Sequence, residues 1–214
     1  MQNDQIVKYF RTYHLPWSEA VADDDIVREA PFKSTDEVVV TIKMDGENTS
    51  LYPSGRSHAR SIDSANHPSR DYVKAYWQER SYLLPPGWRV CGENLYARHS
   101  IEYNDLKAYL YVFSIWTEKN ECLSWDEMQV WVELLDMVSV AAIYRGPYNE
   151  AAIKAAFVPF KGTHEGYVVR SAGSFKYEDA ADNLAKCVRK NHVQTTEHWM
   201  FAEIVPNKLD VTVK

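Results

Sequence analysis

The run "VVVTIK", residues 38 to 43, is apolar through Ile42 and ends on a lysine, and the polar, glycine-containing "MDGEN" follows at once. An unbroken β-branched run of this length predicts a strand. Asp45-Gly46 is a strong hairpin signal, so a chain reversal is expected just past Lys43, with Glu47 and Asn48 opening the return strand. A second turn at Pro53 to Gly55 leads into a Pro, Gly, Ser, Asn and Asp cluster over 53–70, irregular apart from a short strand near Ser57 to Ser61. Ser69 is placed to cap a helix from Arg70 to about Leu83, which "PPG" at 85 to 87 stops. Trp88 to Glu93 and the aromatic "KAYLYVFSIW", 107 to 116, read as strands. Ser124 with Glu127 makes a capping box ahead of "WDEMQVWVELLDM". "VSVAAIY" then reads as a strand, "NEAAIKAAF" as a short helix, and "GYVVRS" and "AKCVRK" as short strands. More strands than helices, without regular βαβ alternation, predict an antiparallel α+β domain rather than a doubly wound sheet.

The 214 residues suffice for one sizeable core, so a single domain over 1–214 is expected. A net charge of −6 provides no global basic field, and any nucleic-acid surface has to be a local patch. Cys91, Cys122 and Cys187 have no CxxC spacing, which argues against a disulfide framework or zinc cluster and for a reducing cytoplasm. The N-terminus lacks the apolar core of a signal peptide and no apolar run approaches the length of a bilayer span, so no membrane partner is expected. His58, His99, His164, His192 and His198 lack HxxxH or HExxH spacing and read as surface or core residues, while Trp77, Trp125 and Trp131 on predicted helices read as core.

A strand-end lysine has a plain reading, the first residue outside the core with its ammonium in water. It also has a chemical one, because an amine attacks phosphorus only when neutral, and partial burial near other cations depresses its pKa. "KMDGEN" resembles the Lys-x-Asp-Gly-x-Asn signature of the covalent nucleotidyltransferases, the superfamily of RNA ligases, DNA ligases and mRNA capping enzymes. Collinear with it, in the order of that superfamily, stand "HARSID" with Arg60, "RVCGENLY" with Glu93, "YLYVFSIW" with Phe113, "HEGYVVR" with Glu165 and Gly166, and "AKCVRK" with Lys186. Asn48, where DNA ligases and capping enzymes usually show arginine, narrows the resemblance to ATP-dependent RNA ligases, as does the wording of "CGENLYARHSI" and "FSIW". "KNHVQTTEHWM" also resembles that subset, with no chemistry attached to it.

The resemblance implies an antiparallel nucleotidyltransferase domain, motif-bearing over about 36–192, with too few residues past Lys190 for an OB-fold or a helical C-terminal domain. It implies ATP as AMP donor, Mg²⁺ or Mn²⁺, and RNA ends with a 5′-phosphate and a 3′-hydroxyl as partners, with a homodimer or partner protein helping to grip the RNA. Lys43 would be the nucleophile. Asp45 and Asn48 would orient the lysine and the hydrated metal, although Asp-Gly would serve a hairpin unaided. Arg60 would contact the nucleotide or the 5′-phosphate, with Arg56 and Arg70 as rivals. Glu93 would accept from ribose hydroxyls, or else be a strand-edge carboxylate in water. Phe113 would stack on adenine, with core packing as the competing reading and Tyr111 on the same face by alternation. Glu165 would hold the divalent cation and Lys186 would neutralise the phosphates. Where many relatives carry Lys-x-Lys this chain reads Lys186-Cys187-Val188-Arg189-Lys190, so either Lys190, of the same strand parity, substitutes or one phosphate contact is missing. DNA nick sealing, guanylyl transfer, or a non-catalytic RNA-end-binding module are the alternatives on the same scaffold.

Overall fold

The computed structural model describes residues 4–190 and 203–210. His192, His198 and all but the first residue of "KNHVQTTEHWM" lie outside the described residues. In chain order the strands are Tyr13–His14 (β1), Glu37–Lys43 (β2), Glu47–Leu51 (β3), Ser57–Ala59 (β4), Arg89–Asn94 (β5), Leu110–Trp116 (β6), Glu121–Cys122 (β7), Val138–Ser139 (β8), Ala142–Pro147 (β9), Gly166–Ser171 (β10), Phe175–Lys176 (β11) and Leu184–Val188 (β12). The α-helices are Asp71–Gln78 (α1), Trp125–Leu134 (α2), Glu150–Phe157 (α3) and Ala180–Asn183 (α4). Two sheets result, ordered β1-β12-β10-β2-β9 and β11-β7-β6-β5-β3-β4, with β8 added beside β6. All pairings are antiparallel except β1 on β12 and β8 on β6.

The apolar run at residues 38–43 lies in β2, an interior strand of the first sheet between β10 and β9. Val38 through Ile42 are all buried, as a strand covered on both faces requires. The expected hairpin after it does not form. β2 lies between β10 and β9 in one sheet, whereas β3 lies between β5 and β4 in the other, so Met44 to Gly46 carry the chain across from sheet to sheet. Gly46 serves close packing in this crossing: a Cβ there would stand 2.5 Å from the Asn94 carbonyl oxygen and 2.7 Å from Leu95 Cδ2. "VSVAAIY" is divided in the same way, with β8 beside β6 and β9 beside β2. The hairpin at Pro53 to Gly55 does form, with Gly55 at φ +83° and β3 paired to β4.

The helix expected from Arg70 to about Leu83 starts one residue later and ends at Gln78. The His67 ring accepts from the Ser69 N–H, which winds Pro68–Arg70 into a 3-10 turn, and α1 follows from Asp71. The capping box of α2 is present in both directions. One core joins Val38, Val40 and Val169 of the first sheet to Val112 and Ile115 of the second, together with Trp77, Trp125, Met128 and Ile153 from the helices. Trp131 packs at its margin. A smaller cluster of Cys91, Trp116, Cys122, Phe175 and Leu184 has Tyr9, Phe10, Phe113 and Val168 packed against it. The three cysteines are free and buried, and no helix among the described residues is long and apolar enough to cross a membrane.

Candidate active site

A cavity of about 650 Å³ is lined by strands of both sheets. Thr41, Lys43, Val168 and Lys186 line it from the first sheet; Asn48, Glu93 and Phe113 line it from the second. Arg60 lines it from the segment after β4, and Tyr9 and Phe10 from the N-terminal segment. Lys43 ends β2 in register with Gly166, and its Nζ lies 2.6 Å from Glu165 Oε2. Glu93 stands opposite Asn48 in the β3–β5 ladder and accepts from the Gly46 N–H at 3.2 Å. The crossing of the chain between sheets therefore brings Lys43 and Asn48 to one cavity, with Glu93 in its lining and Glu165, outside the lining, on the lysine amine.

Burial works against charge on Lys43, but Glu165, Glu93 and Asp45 outweigh it and hold the amine above the usual lysine range. This corrects the expected depressed pKa, because carboxylates rather than cations crowd the amine. Burial pushes Glu93 up to about 8, with Lys43 opposing and Glu165 and Asp45 adding to it. Lys186 is lowered by burial and by Lys43, with Asp25 and Glu165 opposing.

Phe113 reaches the cavity through a β-bulge. The β5–β6 register runs from Cys91 opposite Ser114 to Gly92 opposite Val112, which leaves Phe113 as the extra residue. Gly92 permits the bulge, since a Cβ there would meet the Tyr111 carbonyl oxygen at 2.8 Å. Tyr111 is outside the cavity lining, and its hydroxyl accepts from the Lys107 N–H. Of the three arginines, Arg60 and Arg70 both line the cavity and Arg56 is exposed away from it; Arg60 is exposed, whereas Arg70 is buried in a bidentate pair with Glu47. Besides Glu165, two expected site residues lie outside the cavity lining. Asp45 spends Oδ2 on the N–H groups of Ser100 and Ile101, at 2.8 and 2.7 Å, which fixes the loop after β5. Lys190 lies beyond β12, exposed and outside the lining, so strand parity with Lys186 does not bring it into the cavity.

Asn48 Oδ1 is buried with no hydrogen-bond partner among the described residues. Such an orphan costs about 1–3 kcal/mol and marks a place for a ligand. The site also offers two carboxylates as oxygen donors, Glu165 on the Lys43 amine and Glu93 opposite Asn48 in the ladder. These oxygens fit Mg²⁺ or Mn²⁺, which take one or two protein carboxylates and leave other positions to phosphates and water. Among the described residues no group of three or more His, Cys, Asp or Glu is placed to hold a metal by itself. His164 bonds to Thr163 through Nδ1, and the histidine that lines the cavity is His99.

Residues 36–188 match the RNA ligase family. The chain belongs to that family. Solved structures of similar fold include a mutant of the Naegleria gruberi RNA ligase with ATP and Mn, 16% identical, covering 73% of this chain and 51% of that one at a TM-score of 0.52. A second mutant of the same ligase with ATP and Mn is 17% identical, with coverage of 73% and 51% and a TM-score of 0.50. An archaeal ATP-dependent RNA ligase is 19% identical, with coverage of 74% and 43% and a TM-score of 0.49. This RNA-ligase-family chain thus spans about half the length of the solved ligases it matches. Among curated proteins none gives a significant match.

The raised Glu93 predicts a pH signature. Its folded pKa of about 8 lies above the ordinary 4.5, so the unfolded chain binds fewer protons between these values and stability falls as pH rises through that window. Glu93→Gln keeps the acceptor for Gly46 and removes the titration. In thermal melts the variant is expected to gain on the wild type at pH 8 and not at pH 4.5; an equal difference at both would remove the assignment.

Proposed function

We propose that the cavity is a nucleotidyl-transfer site, in which Lys43 takes AMP from ATP and passes it to an RNA 5′-phosphate for joining to an RNA 3′-hydroxyl. The observation that carries this reading is the Lys43 amine, held 2.6 Å from Glu165 at the wall of a cavity that also presents Lys186 and the bulged Phe113. Family membership over residues 36–188 supports it.

The Lys43 nitrogen attacks the α-phosphorus; the N–P bond forms as the bond to the β-phosphate oxygen breaks and pyrophosphate leaves. An oxygen of the RNA 5′-phosphate then attacks the same phosphorus and Lys43 departs. Last, the RNA 3′-hydroxyl attacks the 5′-phosphate phosphorus and AMP leaves. Before the first step the ammonium must lose a proton, and Glu165 Oε2 is placed to accept it. A divalent ion held by Glu165 and Asn48 would neutralise phosphate charge and weaken the grip of the carboxylate on the amine. Lys186 and Arg60 meet the phosphates, while Phe113 and Val168 offer apolar surface to the base, where stacking contributes about 1–3 kcal/mol. Positioning and charge neutralisation carry most of the acceleration in such transfers.

Labelled ATP with a divalent ion is expected to give a protein–AMP adduct on a denaturing gel, and added RNA with 5′-phosphate and 3′-hydroxyl ends is expected to be joined. A DNA nick is expected to remain open, since the 2′-hydroxyl marks the RNA 3′ end. An adduct with GTP alone would mean guanylyl transfer. RNA binding without an adduct from either nucleotide would mean an end-binding module and overturn the enzyme reading.

A further inference from the structure

Lys186 takes its partners from a segment that precedes the family-matched span of residues 36–188. β1 runs parallel beside β12 with His14 opposite Lys186, and the Leu15 N–H donates to the Lys186 carbonyl. The chain then turns against the end of β12, where Glu19 and Ala20 N–H groups donate to the Val188 carbonyl. It returns beside β1, so that the His14 N–H donates to Ile26 and the Arg28 N–H to His14. That return places Asp25 over Lys186: Asp25 Oδ1 is 3.5 Å from Lys186 Nζ, and Asp25 Oδ2 is 3.0 Å from His14 Nε2. The arrangement is anchored from behind. His14 is 2% exposed, its Nδ1 lies 2.7 Å from Ser18 Oγ, and Ser18 Oγ accepts from the Val188 N–H at 2.9 Å. One continuous set of contacts therefore runs from the β12 backbone through Ser18, His14 and Asp25 back to the β12 lysine.

We propose that Asp25 is a positioning residue of the site, which holds the Lys186 ammonium charged and aimed into the cavity, so that the segment 13–28 belongs to the machinery that binds the ATP phosphates. The inference rests on reading the cavity as a nucleotide site. The groups that act on Lys186 are Asp25 and Glu165, which favour its charge, and Lys43, which opposes it together with burial. Lys186 is only 16% exposed at its side chain, so water supplies little of the missing stabilisation. With three N–H donors it can keep Asp25 and still meet a phosphate oxygen. A plain ion pair that only ties the segment down is the competing account, and coupling separates the two.

The test is a double-mutant cycle on ATP affinity, read by equilibrium dialysis with labelled ATP and a divalent ion. Asp25→Asn keeps the shape and an acceptor for His14. It is expected to weaken ATP binding about ten-fold in the native background and not at all in Lys186→Ala, because the carboxylate acts through the lysine. Asp25→Glu is expected to restore part of the loss. Equal losses in both backgrounds would mean a merely structural tie, and no loss or tighter binding in Asp25→Asn would mean that the carboxylate is idle or competes with phosphate. Each overturns the proposal. If the wild type binds ATP but forms no adduct, the catalytic reading fails and the cycle still decides the role of Asp25. If it binds no ATP, both fall.

Discussion

Lys43→Ala is expected to form no protein–AMP adduct, a loss of at least about 10³-fold that reaches the detection limit, because the nitrogen that bonds to phosphorus is removed, while Lys186, the other lysine of the cavity lining, is paired with Asp25. The alanine variant also leaves Glu165 buried without its cation, so its stability must be measured alongside. Lys43→Arg separates the two effects. It keeps a cation on the carboxylate, yet a guanidinium does not deprotonate and does not attack phosphorus. Both variants are expected to be inactive, with Lys43→Arg the more stable of the two. In the wild type the amine is held above the usual lysine range, so the neutral fraction at neutral pH is small and grows about ten-fold per pH unit. Single-turnover adduct formation at saturating ATP should therefore rise with pH through the neutral region. An adduct that survives in Lys43→Arg, mapped by peptide mass, would place the nucleophile elsewhere.

The elements of this chain were legible where one local signal carries the outcome. The Gly166–Ser171 strand keeps its expected bounds, and Ser124 and Glu127 exchange both bonds of their capping box. Ordered motifs likewise bring Lys43, Asn48, Arg60, Glu93, Phe113 and Lys186 to one cavity. What stayed hidden is whatever depends on a partner remote in sequence. An apolar run followed by Asp-Gly is the same pattern whether β3 returns beside β2 or crosses to another sheet, and only the approach of Asn94 and Leu95 to Gly46 distinguishes them. Alternation gave Tyr111 and Phe113 one face, but the bulge at Gly92 gives Phe113 its own route into the cavity. Tyr9 shows nothing in sequence beyond an aromatic near the N-terminus, yet its ring meets Phe113 edge-on at 5.3 Å. Asp25 sits in an acidic run, Asp23 to Asp25, that gives little sequence support for a part in substrate binding, and its contact with Lys186 needs β1 to find β12 across more than 160 residues.

Gly166→Ala is expected to be the most destabilising single-methyl change in the first sheet. Gly166 opens β10 with Lys43 of β2 on one side and Val188 of β12 on the other. A Cβ there would stand 1.9 Å from the Cys187 carbonyl oxygen, 2.9 Å from its carbon and 3.0 Å from Val188 Cα. These are backbone atoms, so no rotamer change can relieve the overlap, and β12 must move off β10 as a unit. Overpacking of this kind costs about 1–3 kcal/mol even where side chains can yield. With backbone as the obstacle a loss of about 3 kcal/mol or more is expected, which in a chain of this length lowers Tm by about 6–12 °C. Gly173→Ala is the matched control, since nothing lies within 4 Å of the Cβ it would add. It is expected to leave Tm within about 1 °C. The glycine beside Glu165 thereby has a mechanical reason to be there: it lets β12 approach closely enough for Lys186 to share a cavity with Lys43. Equal melting temperatures for Gly166→Ala and Gly173→Ala would show that β12 is free to shift, and that its distance from β10 does not set the place of Lys186.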